Sequence, residues 1–233
     1  MAALSACSTT LNVPPEFIMH DVKTDDFQIR TYQKITSDAE PIHVYIEGDG
    51  NAFNKYGQPT NNPTPHAITM RQIAMSDESP NVVYVARPCQ FIMSETCEQS
   101  DWTDGRFSEK IIENMYQAIK SIAKKQPVML IGYSGGAMIS GLIIEKYPNL
   151  DVQKWITIAG VLNHSQWTHF FGDMPLQKSL DMKQLPQIPQ IHYVAEHDSV
   201  VPMELSVKWV QQQPLITIPN ATHNKIHNLK INF

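Results

Sequence analysis

The sequence predicts a doubly wound α/β fold, three layers thick, with a mostly parallel sheet in the middle. Two observations lead there. Short β-branched runs alternate along the chain with stretches of helical periodicity, the order that parallel strands joined by helical crossovers require. Several of those runs, such as Val128-Met129-Leu130-Ile131, are continuously apolar, as strands covered on both faces are. The length agrees, because 233 residues fit one domain and a hydrophobic share of 42% supports a sizeable core.

Taken in order, residues 1–25 read as a lead-in with an N-terminal signal remnant, and 26–233 as a single domain. The lead-in is polar from residue 8, and Pro14 and Pro15 keep it extended. Strands are expected at Phe27–Ile35, Ile42–Glu47, Val82–Ala86, Val128–Gly132, Trp155–Ala159, Ile191–Ala195 and Leu215–Ile218. Phe107, Ile111, Met115, Ile119 and Ile122 recur every three or four residues and give a helix one apolar face. That helix ends near Lys124 and Lys125, where cations suit its dipole, and Pro127 blocks continuation. Gly135 to Lys146 is apolar around most of its circumference and reads as a buried helix stopped by Tyr147-Pro148. His66–Met75 and Met203–Gln211 read as surface helices. The segment 163–189 fits neither period and is either a small lid or a long irregular connection.

Composition excludes several functions. Eighteen Lys and Arg against 23 Asp and Glu give a formal charge of -5, with no basic stripe for a phosphate backbone, so no nucleic-acid partner is expected. No apolar run approaches the length of a bilayer span. Neither HExxH nor Cys/His spacing of a zinc site occurs. His223 and His227 would suit a metal only on a helix with further ligands, so no metal is expected. No GxGxxG or GxxxxGK[ST] asks for a nucleotide, and no cofactor is called for.

The strand at Val128–Gly132 runs into Gly132-Tyr133-Ser134-Gly135-Gly136, a G-x-S-x-G that opens the buried helix. A serine on so sharp a strand-to-helix turn has its hydroxyl lifted clear of the sheet. The positions two before and two after it approach neighbouring backbone too closely for side chains, hence glycine. The other reading of the pentapeptide is a glycine-rich helix start with an N-capping serine.

With these motifs in their order, the chain resembles the α/β-hydrolase superfamily of serine esterases, lipases and related enzymes over roughly residues 40 to 227. The resemblance implies Ser134 as nucleophile and Gly135 as one N–H of an oxyanion hole. The second N–H would come from Gly48-Asp49-Gly50, after the strand Ile42–Glu47, from Asp49 or Gly50. Family members usually carry His-Gly there, and Glu47-Gly48 departs from that form. The acid is expected after the next-to-last strand. Asp198, four residues before Pro202 with Val200-Val201 between, matches the family's acid loop, and Glu196 is the competitor. The base is expected on the loop after the last strand, where His223 stands, with His227 as the alternative.

The resemblance therefore implies an esterase- or lipase-like serine hydrolase with a small acyl substrate and an acyl-Ser134 intermediate. Acyl transfer on the same triad is one alternative, and an idle member that binds through the same cleft is another. Trp102, Arg106 and Phe107 either shape a substrate pocket or pack a helix start. Separately, Leu4-Ser5-Ala6-Cys7 resembles the lipobox of bacterial lipoproteins, although no basic n-region and hardly any apolar stretch precede it. The three cysteines then divide into a lipidation site at Cys7, with membrane anchoring through it, and a disulfide between Cys89 and Cys97. Both imply the bacterial cell envelope, with the cytoplasm as the alternative.

Overall fold

The parallel core of the sheet follows the apolar runs closely. In the computed structural model, which describes residues 13–227 and 229–233, β3 is Ile42–Ile46, β4 Asn81–Val85, β5 Val128–Tyr133, β6 Val152–Ile158, β7 Gln190–Ala195 and β8 Leu215–Ile218. They lie side by side as β4-β3-β5-β6-β7-β8, all parallel, and two further strands extend the β4 edge. Of these, β2 (Gln28–Ile35) pairs antiparallel with β4, and β1 (Ile18–Lys23) pairs antiparallel with β2.

Strand β1 falls within the extended lead-in, where no strand was expected. Its side chains are largely exposed on both faces, so it lacks the alternation that burial of one face imposes. The ladder to β2 holds it, helped by an ion pair of 2.5 Å between Arg30 and Asp21. Cys7 lies outside the described residues.

Alternate residues of the central strands feed two cores. Ile42, Val44 and Ile46 of β3, Val83 and Val85 of β4, and Val128 and Leu130 of β5 face one layer of helices. That layer contains α2 (Glu109–Ala123) and α3 (Gly135–Lys146). Tyr45, Val82, Tyr84, Ile131 and Tyr133 face the other side, where α1 (Thr69–Met75) and the chain from Ala221 onward pack. The result is the expected three-layer arrangement. Ser108 caps α2 by accepting the Ile111 N–H.

Segment 163–189 contains a helix that periodicity did not reveal, α4 (His164–Phe171), capped by Asn163 and closed by Gly172 in the left-handed conformation. Eight residues are too few for a clear repeat, and its His, Gln, Trp and Phe do not sort into faces. Asp181 ties the rest of the segment to it, accepting from the backbone N–H of His164 and Ser165. The fifth helix, α5, is Met203–Val210.

Candidate active site

Strand β5 delivers Ser134 at the carboxyl end of the sheet, with φ 52° and ψ -124°. For a residue with a side chain this is a strained state, costing about 1–3 kcal/mol. Its neighbours hold it there. A side chain at Gly132 would lie 2.5 Å from the Ala137 Cα, and one at Gly136 would drive into the carbonyls of Ile46 and Glu47. The turn therefore closes only with glycine on both sides, and α3 starts immediately after it.

The hydroxyl of Ser134 stands 3.0 Å from His223 Nε2, and His223 Nδ1 stands 2.8 Å from Asp198 Oδ2. All three residues are buried. The other oxygen of Asp198 accepts the backbone N–H groups of Val200 and Val201, both at 2.8 Å. One carboxylate thus folds its own loop and faces the imidazole. Glu196 is exposed and accepts from the Asn220 N–H, away from the imidazole. No helix forms at 223–227. Residues 222–225 make a tight turn, and His227 points to solvent.

Tyr133, next to Ser134 in the turn, also bears on the site. Its hydroxyl donates to the His223 carbonyl at 2.7 Å, and its ring lies 5.3 Å from the imidazole. It pins the loop that carries the histidine to the strand that carries the serine. Burial pushes its phenol well above the usual range, so it stays a donor.

The second loop is more tightly built than its sequence shows. Gly50 has φ 64°, and a side chain there would meet the Pro63 carbonyl. Gln90 bridges the loop to the end of β4, donating to the Gly48 carbonyl at 2.9 Å and accepting the Arg87 N–H at 3.0 Å. Beneath it, Glu47 accepts from the Gly48 N–H and the Tyr84 hydroxyl, while burial pushes its carboxyl up. The N–H groups of Asp49 and Gly50 have no protein acceptor among the described residues, and both residues line the cleft before Ser134.

The side chain of Asp49 is the feature the sequence reading missed. It lies against Gly135, pairs with Arg87, and has an oxygen 3.5 Å from Arg106 Nε. Burial alone would raise this carboxyl, but Arg106 and Arg87 together hold it below the usual range. A sequence signal existed in Arg87-Pro88-Cys89-Gln90, a polar cluster just past a buried strand. Of the other three residues singled out there, Arg106 lines the cleft, Trp102 is buried and donates to the Thr60 carbonyl, and Phe107 belongs to the core. Cys89 and Cys97 are joined, with Cα atoms 5.8 Å apart.

The cleft has a volume of about 380 Å³, and Phe53, Met70, Val161, Trp167 and Val200 form much of its wall. Among the described residues, no group of three or more His, Cys, Asp or Glu could hold a metal ion.

No protein-family model matches the chain, and no curated protein matches it in sequence. Solved structures do match over most of its length. A putative hydrolase from Agrobacterium vitis S4 has a TM-score of 0.61 at 12% identity, covering 89% of this chain and 92% of its own. Est1E from Butyrivibrio proteoclasticus has a TM-score of 0.59 at 14% identity, covering 90% and 91%. XC6422 from Xanthomonas campestris, described as an α/β serine hydrolase without lid, has a TM-score of 0.56 at 13% identity, covering 91% and 88%. The fold of this chain is the α/β-hydrolase fold.

Proposed function

We propose that this chain of α/β-hydrolase fold is a serine hydrolase, cleaving a carboxylic ester, thioester or amide through an acyl-Ser134 intermediate. The observation that carries the reading is the continuous relay from Ser134 Oγ through the His223 ring to Asp198, at 3.0 and 2.8 Å, opening on a cleft. His223 Nε2 takes the hydroxyl proton as Oγ bonds to the substrate carbonyl carbon. The oxyanion is held by the N–H of Gly135 and that of Asp49 or Gly50. Collapse of the tetrahedral species breaks the bond to the leaving group, which receives the proton from His223. Water then repeats the sequence on the acyl-enzyme. Asp198 keeps the Nδ1 proton in place and stabilises the imidazolium.

The test is covalent labelling with a fluorophosphonate. The wild-type protein is expected to carry one label on Ser134, and Ser134→Ala none. A folded wild-type protein that never labels would leave only the idle-binder reading. Esters of graded chain length, assayed with and without an added alcohol acceptor, separate hydrolysis from acyl transfer.

The compartment proposed is the bacterial cell envelope, with anchoring through a lipid on Cys7. The Cys89–Cys97 link supports it, because such bonds persist where the surroundings oxidise. Two free thiols at these positions by mass-tagging of protein from its host, or no acyl chain on Cys7, would set it aside.

A further inference from the structure

Arg106 sits on the wall of the cleft, only 3% exposed, yet among the described residues its buried Nε has no hydrogen-bond partner. Its one charged neighbour within pairing distance is Asp49, 3.5 Å from Nε. Asp49 is already paired with Arg87, and Arg87 spends a second nitrogen on the Arg106 carbonyl at 2.5 Å. Two nitrogens of Arg87 are thus hydrogen-bonded, whereas Arg106 meets Asp49 only as a longer ion pair and its Nε has no hydrogen bond. Around Arg106 stand three aromatic rings, with its guanidinium carbon 5.4 Å from the Phe53 centroid, 5.7 Å from Phe107 and 5.3 Å from Trp167. The rings remove water and hold the planar group in place without supplying an acceptor.

A buried guanidinium with unused donors is costly, and the loss is recovered when an anion meets it, since a charge-assisted bond gains strength where water is excluded. The position is informative as well. Asp49 touches both Gly135 and Arg106, so a single carboxylate spans the distance from the nucleophile's turn to the arginine. The opposing charges on this wall are accounted for. Asp49 is one negative charge shared by two guanidinium groups, Arg87 and Arg106, and Glu47 is held beneath the loop by the Gly48 N–H and the Tyr84 hydroxyl.

From this we infer that the cleft selects substrates carrying a carboxylate or similar anionic group a short spacer away from the scissile carbonyl, with Arg106 as the group that binds it. The inference rests on the hydrolase reading for its chemistry, but the binding site can be tested without turnover.

Binding is measured by calorimetry on Ser134→Ala, which cannot form the acyl-enzyme. Monoethyl succinate is set against its neutral isostere ethyl 4-methylpentanoate, which places the charge on the acyl side. Acetoxyacetate against isobutyl acetate places it on the alcohol side. In at least one pair the anionic ester is expected to bind about tenfold tighter or more, an advantage that falls below about twofold when Arg106→Gln is added. If that protein does not fold, Arg106→Lys keeps the charge without the planar fork and is expected to cut the advantage at least about threefold. Neutral esters binding as well or better in both pairs would overturn the inference. So would an advantage that survives the change at Arg106. Failure of the hydrolase reading shows elsewhere, as a wild-type protein that neither labels with fluorophosphonate nor releases alcohol from any ester.

Discussion

Asp198 serves folding and chemistry together in the proposed mechanism. One oxygen folds the loop and the other faces His223, so replacing it is expected to harm both the base and the turn. In the proposed mechanism Ser134, His223 and Asp198 act as a unit. Alanine at any one should lower kcat by at least about three orders of magnitude, and the Asp198/His223 double variant should be little worse than His223→Ala alone. Additive losses, measured on a good ester with folding checked by circular dichroism, would contradict the shared role. Tyr133 acts one step removed. Tyr133→Phe keeps the ring and removes the bond to the His223 carbonyl. We expect a stability loss of about 1 kcal/mol and a drop of about tenfold in kcat with KM little changed. A pure KM effect would mean that the hydroxyl serves the substrate and not the loop.

At the scale of elements, the cleft depends on pieces that lie far apart in the chain. Helix α4 contributes Trp167, whose indole donates to the Val200 carbonyl at 2.6 Å and so ties the helix to the acid loop. The helix is short, and its start relies on Asn163, which accepts the Gln166 N–H at 2.7 Å. Asn163→Ala should cost about 1 kcal/mol of stability. Because Trp167 moves with the helix, the same variant should weaken ester binding more than it slows labelling of Ser134 by a small fluorophosphonate. Equal effects on both would show that α4 does not shape the substrate site. Strand β1 and helix α4 are also elements that local pattern did not reveal. The strand buries neither face, and the helix is too brief for a 3.6-residue repeat to emerge.

For the molecule as a whole, pH stability should carry the signature of His192, one of the buried histidines. His192 stands in β7, hydrogen-bonded to Thr157 of β6 and to Gln190 of its own strand, and burial lowers its pKa to about 4. The Gln190 amide donates to the Pro186 carbonyl, so its oxygen takes the His192 Nε2–H and Nδ1 accepts from Thr157. An unfolded histidine takes up its proton near pH 6.5, whereas the folded one resists until about pH 4. Below pH 6.5 the unfolded state thus binds more protons, and stability falls as pH drops from about 6.5 towards 4, by about 3 kcal/mol at the lower end. His192→Asn, whose carbonyl can still meet Thr157, should flatten that fall in urea titrations at pH 7 and pH 4. An unchanged slope would move the effect to another group.

By itself the sequence determined the parallel core of the sheet, the serine turn and the order of the three candidate catalytic residues. The sheet and the turn rest on local physics, and the order of the three residues on the resemblance to the α/β-hydrolases. Burial on two faces makes strands apolar throughout, close backbone approach demands glycine at 132 and 136, and an acid or base at a strand end needs only a short loop to hold it. The sequence favoured Asp198 with Glu196 as competitor and His223 with His227 as alternative, since both members of each pair occupy the same loop. Tertiary structure decided between them geometrically, because only Asp198 and His223 come within hydrogen-bond distance in one line with Ser134. It alone also assembled Asp49, Arg87 and Arg106. Those residues are separated by 38 and 19 positions, and no periodicity can express a contact made by folding three loops onto the same end of a sheet.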